Sequence, residues 1–335
     1  MLTFAIRRLI LAIPTLLFIG LVIFLLLELA PGDPMADQPL TIPPEVREEM
    51  RRALGLDQPW WVRFGLWLRQ IAVVEPKVLI DRLLGTSLYA GEPRIISWQT
   101  KFPVMDIIVQ RLPQTLWVVG MAYVVGVLIA IPIGIVSAVR QYSAFDQIGT
   151  FVSMVGFSVP TFFTGVLLIV VFSVNLGWFP SIYDTQLRVT DWDSFVRQLR
   201  QMAMPVFVLA LFNASQISRY MRASMLDNLT QDYVRTARAK GMTERTVVLR
   251  HVLRNSMIPV VTVIALGIPS IFGGAIITEQ VFKVNGLGQL LIIAINANDL
   301  PMVQTLTFMF AVLIVLFNLI ADLLYGILDP RIRYD

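Results

Sequence analysis

The sequence predicts an all-α polytopic membrane protein with six transmembrane helices and a folded external segment between the first and second. Of its 335 residues, 56% are hydrophobic and 15% charged, with a mean hydropathy of +0.71. A soluble domain would carry roughly 25% charged residues. The apolar residues gather in runs near the ~20 residues that a bilayer-crossing helix needs. The runs are continuous, whereas barrel strands would alternate.

The first run, Leu9–Ala30, follows Arg7 and Arg8 and superficially mimics a secretory leader. It is too long for a leader's apolar stretch and ends in Pro31-Gly32-Asp33-Pro34, so a retained first helix is expected. In the external segment, Pro44 opens a short helix with Val46, Met50 and Leu54 on one stripe and Gly55 at its end. Trp60, Phe64, Trp67 and Ile71 then recur at helical spacing. That aromatic face suits either a surface-lying or packed amphipathic helix or a docking face for a partner. The remaining spans are expected at Gln114–Val139, Ile148–Asn175, Met204–Ser224, Ile258–Val281 and Met302–Ile327. The chain thus divides into an N-terminal helix (1–30), an external segment (31–112), a transmembrane domain (113–329) with a loop at 227–257, and a tail (330–335).

Charge sets the orientation. With both termini inside, the cytoplasmic segments hold a basic excess, while the short outer loops carry only Arg188, Arg197, Arg200 and Lys283. The net charge of +4 therefore reflects topology, and no nucleic-acid partner is expected. All seven Trp residues fall on the outer side, and interfacial anchoring accounts for Trp117 and Trp178.

Along the second span, Ala122, Gly126, Ala130, Gly134 and Ala138 recur every fourth position and form a groove for a neighbouring helix. Tight packing and a moving interface would use the same residues. Few acidic groups lie inside the spans: Glu28, Glu279 and Asp322. Burial of Asp322 costs about 2.5–3.5 kcal/mol on an insertion scale, so a partner is expected. Asn318 and Tyr325 lie on its helical face, as a structural polar cluster or a proton relay. Proton-coupled carriers place acids near mid-membrane, and none is clearly there.

The absence of Cys and the presence of one His, His251, exclude thiol chemistry and a His-cluster metal site; no metal site is expected. No G-x-x-x-x-G-K-[ST] motif occurs, so ATP hydrolysis by a P-loop is excluded. No catalytic residues are assigned. The loop between spans four and five holds a helix-favouring run, Val234–Lys240, broken by Gly241. Thr243-Glu244-Arg245-Thr246 can start a second helix carrying Val247, Val248 and His251. A short rigid helix of this kind can receive force from a separate protein. Its basic residues can pair with acidic groups there or simply satisfy orientation rules.

The run Tyr233-Val-Arg-Thr-Ala-Arg-Ala-Lys-Gly241, followed by Arg254-Asn255-Ser256-Met257-Ile258-Pro259-Val260-Val261-Thr262, resembles the coupling loop of ABC importer permeases of the dipeptide/oligopeptide family. Against that superfamily's general E-A-A-x3-G-x9-I-x-L-P pattern, only Ala237, Gly241 and Leu253 match. The departures look like the peptide-permease variant. The resemblance continues through Pro31–Pro34, Leu54-Gly55-Leu56-Asp57, Asn285-Gly286-Leu287-Gly288 and Asp329-Pro330-Arg331-Ile332-Arg333. Val73–Lys101 has no match.

The resemblance implies the type I ABC importer permease fold in a prokaryotic inner membrane. It implies a B-type permease subunit paired with a homologous second permease. Two cytoplasmic ABC ATPase subunits would bind ATP and Mg, with no cofactor in this chain. An external solute-binding protein would deliver a peptide substrate; nickel, glutathione and oligosaccharides are the implied alternatives. Coupling to the ATPases would rest on Tyr233, Arg235, Thr236, Ala237, Arg238, Ala239, Lys240, Gly241 and Leu253. Two competing readings are a self-contained secondary transporter or channel and an intramembrane enzyme. The first needs mid-membrane acids, and the second a convergent catalytic set at membrane depth.

Overall fold

A computed structural model describes residues 2–29, 57–86, 92–269, 271 and 276–328. The expected features at Pro31–Pro34, at the helix opened by Pro44, at Leu54–Leu56 and at Asp329–Arg333 lie outside these residues, as does the Tyr325 side chain.

In chain order the helices are α1 (Leu2–Glu28), α2 (Trp60–Arg69), α3 (Glu75–Leu84), α4 (Val104–Thr115), α5 (Met121–Val139), α6 (Ala144–Ser158) and α7 (Thr161–Leu168). They continue with α8 (Trp192–Leu229), α9 (Asp232–Ala239), α10 (Glu244–Thr246), α11 (Leu253–Gly267), α12 (Ile276–Phe282), α13 (Leu287–Asn296) and α14 (Leu300–Leu328). Four π-helical stretches, Gln70–Val74, Leu116–Gly120, Ile169–Asn175 and Val247–Val252, continue or join these helices without breaking them. Among the described residues there is no strand, only an isolated bridge between Ile96 and Pro103.

Five helical runs among the described residues are long and apolar enough to cross a membrane: Ile6–Glu28, Val104–Val139, Trp192–Leu229, Glu244–Gly267 and Leu300–Leu323. A further apolar pair, Ala144–Ser158 with Thr161–Asn175, reaches that length only when taken together and is turned by 102° at its break. The sequence predicted an unbroken span here. Val159, held extended at φ −80° and ψ 126°, precedes Pro160, whose ring disfavours the helical region for the residue before it. The fifth crossing also differs from expectation. It begins at Glu244 rather than Ile258, because the second loop helix runs straight into the membrane helix.

The chain forms two compact units, one of residues 1–10, 112–289 and 313–335, the other of residues 11–111 and 290–312. In the first, α8 is the mast. It opens with a capping box in which Asp191 accepts from the Ser194 amide at 2.7 Å and the Ser194 hydroxyl oxygen accepts from the Asp191 amide at 3.0 Å. Helices α5, α6 and α11 pack along it. Ala122, Gly126, Ala130, Gly134 and Ala138 are all buried on α5. A Cβ on Gly126 would lie 3.0 Å from Asn213 Cβ, and one on Gly134 would lie 2.5 Å from Met221 Cβ and 2.8 Å from the Ser218 carbonyl oxygen. The five positions therefore bring two helix backbones into direct contact, which any larger side chain would separate. At one end of this bundle, Arg222 on α8 donates two hydrogen bonds, of 2.6 and 2.8 Å, to Asp146 at the start of α6. Asp146 is only 4% exposed and also accepts from the Tyr142 amide at 2.9 Å.

In the second unit, the aromatic stripe of α2 is packed rather than free. Phe24 meets Phe64 at 5.4 Å, Phe64 stacks on Trp67 at 5.9 Å, and Trp67 meets Phe308 at 5.0 Å. Gly20 makes room for this: a Cβ there would sit 3.1 Å from the Phe308 ring. Of the segment Val73–Lys101, unmatched in the sequence reading, the described residues 73–86 and 92–101 are organised by Arg94. Its guanidinium bridges buried Glu75, at 2.8 and 3.2 Å, and Asp106, with two contacts of 2.9 Å. These two carboxylates raise the Arg94 pKa, outweighing the opposing effect of burial. Buried Asp299 caps the neighbouring turn, accepting from the Ser97 hydroxyl and from the Trp98 amide at 3.0 Å, and sits at the start of α14.

This packing makes three substitutions informative. Gly134→Val overfills the α5–α8 contact and should lower unfolding stability in detergent by about 1–3 kcal/mol. Gly65→Ala, where a Cβ meets nothing within 4 Å, should be neutral or better in the same thermal melt. Arg222→Met strands the buried Asp146 charge and should cost about 3 kcal/mol, with Asp146→Asn in the same chain restoring part of the loss. Equal melting of the single and double variants would refute the pairing.

Candidate functional site: the Asp232–Gly241 helix

Helix α9 is only two turns long and would not persist alone in water. The chain fixes it at both ends and along its inner face. At its start the Tyr233 hydroxyl donates to Asn228 at 2.7 Å, tying it to the end of α8. At its end Gly241 adopts φ +74°, the left-handed conformation that glycine tolerates. Its amide bonds the Arg238 carbonyl at 2.9 Å and the Met242 amide bonds the Ala237 carbonyl at 3.4 Å, a Schellman closure that satisfies two terminal carbonyls. A Cβ at position 241 would meet nothing within 4 Å, so backbone conformation alone demands glycine there.

Val234 and Ala237 are buried and belong to an apolar cluster with Met221, Met225, Val247, Val248 and Val252. Leu253 packs against the same cluster, half-buried. The sequence reading counted Ala237 and Leu253 among the residues that couple to the ATPases. The structure instead turns both inward, where Ala237 lets α9 sit close to its own chain and Leu253 packs on the same core. The outward face carries Tyr233, Arg235, Thr236, Arg238, Ala239, Lys240 and Gly241, all exposed. Arg238 donates to Glu244 in a forked pair of 2.6 and 3.1 Å, bracing the turn between α9 and α10. Hydrogen bonding to Glu244 raises the Arg238 pKa, so its charge is held within the loop. Arg235 pairs loosely with Asp232 at 3.4 Å, and both are exposed. The result is a short basic helix on a solid apolar footing, able to transmit a push without deforming.

The other predicted residues fall elsewhere. The α5 groove lies within the helix bundle described above. Asp322 finds its partner in Arg8 of α1, at 3.2 Å, while Asn318 on its own helix is exposed. Sequence spacing along one helix could not show an ion pair between the first and last spans. Among the described residues no group of His, Asp and Glu is placed to hold a metal ion. The sequence reading also missed the surroundings of Glu279, which is 1% exposed. It accepts from the Thr115 hydroxyl at 2.9 Å and the Gln289 amide at 3.0 Å. Thr115 in turn accepts from the Leu287 amide at 2.8 Å. Side chains at Gly286 or Gly288 would collide with the Glu279 carboxylate. The motif Asn285-Gly286-Leu287-Gly288 held the signal: paired glycines mark a close approach.

Comparison with known proteins agrees with this architecture. Residues 130–334 match the family described as binding-protein-dependent transport system inner membrane component, and residues 1–119 match its N-terminal membrane component. An oligopeptide transport system permease protein of Bacillus subtilis is 39% identical, with 100% of both chains covered. A dipeptide transport system permease protein of Alkalihalophilus pseudofirmus is 34% identical, and a glutathione transport system permease protein of Salmonella choleraesuis is 36% identical, again with 100% of each chain covered. Among solved structures, the inward-facing methionine ABC transporter MetNI aligns with a TM-score of 0.53 at 19% identity, covering 68% of this chain and 98% of that one. An amino acid ABC transporter aligns at 0.52 and 15% identity, covering 66% and 94%. At those identities the two structures speak for the fold alone, while the profile and the full-length relatives assign the family. The chain belongs to the binding-protein-dependent transport system inner membrane components and is an integral membrane permease subunit of an ABC importer, not an enzyme.

Proposed function

We propose that this chain forms half of a translocation pathway for di- and oligopeptides, paired with a homologous second permease. Two cytoplasmic ATPase subunits, which bind ATP and Mg, would drive it, and an external solute-binding protein would deliver the ligand. Both termini face the cytoplasm in this reading, in keeping with the basic excess around α9. The names of the oligopeptide, dipeptide and glutathione relatives support a peptide or peptide-like ligand. The observation that carries the coupling role is the footing of α9: buried Val234 and Ala237 inside, exposed basic residues outside. Closure of the ATPase pair pushes α9, and the anchored helix passes the movement to α8 and α11. Coupling of this kind is a free energy shared between two sites, so the connection between them must be stiff.

The test is ATP-dependent uptake of a tripeptide into proteoliposomes holding the full assembly. Gly241→Val forces a branched side chain into a left-handed backbone at a cost of about 1–3 kcal/mol. If that cost falls on the coupling, uptake should drop about 5- to 150-fold while the assembled ATPases still bind ATP. Unchanged uptake by a correctly assembled variant would remove the coupling role. Reconstituted alone, the chain should concentrate nothing. Accumulation driven by a proton or sodium gradient would instead establish a secondary transporter.

A further inference from the structure

The outward stripe of α8 is unlike its neighbours. On it Arg200 donates its Nε–H to the Trp178 carbonyl at 2.7 Å. Arg200 and Trp178 mark one interface. Arg219 lies one turn further inside than the Arg222–Asp146 pair, beside the Ser153–Ser218 contact between α6 and α8. In this part of α8 the outward stripe reads Phe212, Gln216, Arg219 and Tyr220. Arg219 and Tyr220 are exposed and Gln216 is half-buried.

Between Ile148 and Phe157, helix α6 exposes only apolar side chains, among them Ile148, Phe151 and Met154, as lipid requires. An amide beside a guanidinium does not fit that environment. Nor is Arg219 neutralised: among the described residues it makes no ion pair, and its guanidinium lies 5.0 Å from the centroid of the Phe157 ring on α6. Phe157 stacks in turn on Phe212, at 5.9 Å and 14°. The approach of the two helices depends on Gly156, where any Cβ would press on Ser215 and Leu211 of α8. The cation is thus held against an aromatic platform with its donors free, beside an amide and a phenol.

We propose that Arg219, with Phe157, Gln216 and Tyr220, forms a water-facing station in the translocation pathway that receives the carboxylate of a passing solute. The carboxylate takes the guanidinium donors, and apolar side chains of the solute can rest on the Phe157–Phe212 pair. This deepens the peptide reading and rests on it for the source of the carboxylate, the free C-terminus of a short peptide. The water-facing anion site itself is independent of which solute is carried.

Because the chain has no cysteine, introduced thiols report on it alone. Gln216→Cys and, on α6, Phe151→Cys are placed in the assembled transporter. Each is exposed to membrane-impermeant methanethiosulfonates bearing either a sulfonate or a trimethylammonium group, and modification is read as the mass of this chain. Gln216→Cys should react and Phe151→Cys should not. With rates normalised to a free thiol, the sulfonate should be favoured about tenfold, as a fixed charge in a narrow path produces. Adding Arg219→Gln should abolish that preference without abolishing the reaction. An unreactive Gln216→Cys, from burial under lipid or under the second permease, overturns the proposal, and so does a preference unchanged by Arg219→Gln. Tripeptide uptake by the parent assembly is measured in parallel. Charge-selective labelling without uptake would sink the peptide reading and leave the anion site standing.

Discussion

Everything in the larger unit hangs on one contact: the backbone of α5 laid against the backbone of α8 through a row of small residues. In a membrane there is little hydrophobic drive between helices, since lipid tails are as apolar as leucine. Close approach has to supply the attraction, and dispersion falls steeply with a gap of even half an ångström. Met221 of α8 fills the space left by Gly134, so groove and filler are matched residue by residue. Helices α6 and α11 then lean on the same mast, with Gly156 serving α6 as Gly134 serves α5.

That stiffness explains why so short a helix as α9 can matter. A two-turn helix bound by surface charges would yield under load. Here its inner residues share one apolar cluster with α8 and with the start of the following membrane helix. The unbroken run from Glu244 to Gly267 continues the connection into the bilayer. The apolar side of α9 is anchored in that cluster, which leaves its basic side exposed.

Much of this was legible in the sequence, and the failures are instructive. The small-residue row was readable because a period of four on one helix is a local property. The left-handed turn at Gly241 was readable for the same reason. The division of labour within Tyr233–Gly241 was not, since motif matching weights positions without saying which way they face. Ala237 matched the family pattern because it packs inward. The break at Val159–Pro160 was underread: a proline inside an apolar run permits a kink, and only neighbouring packing decides whether it becomes a 102° turn. The partner of Asp322 and the cradle of Glu279 required contacts between distant segments, which hydropathy cannot carry. Val73–Lys101 looked unplaceable because its order comes from ions, with Arg94 between two carboxylates, rather than from a periodic pattern.

The cap that Asp299 places on the Ser97–Trp98 turn has a consequence for biosynthesis. Its partners are separated by 202 residues of sequence. At ribosomal rates of about 5–20 residues per second, the early turn waits roughly 10–40 s for the carboxylate that completes it. Through that interval the nascent chain is threading its middle helices into the bilayer with this segment unfinished. Maturation of that segment is therefore a late checkpoint: it closes only after Asp299 has been delivered, and a truncated polypeptide would display an open turn.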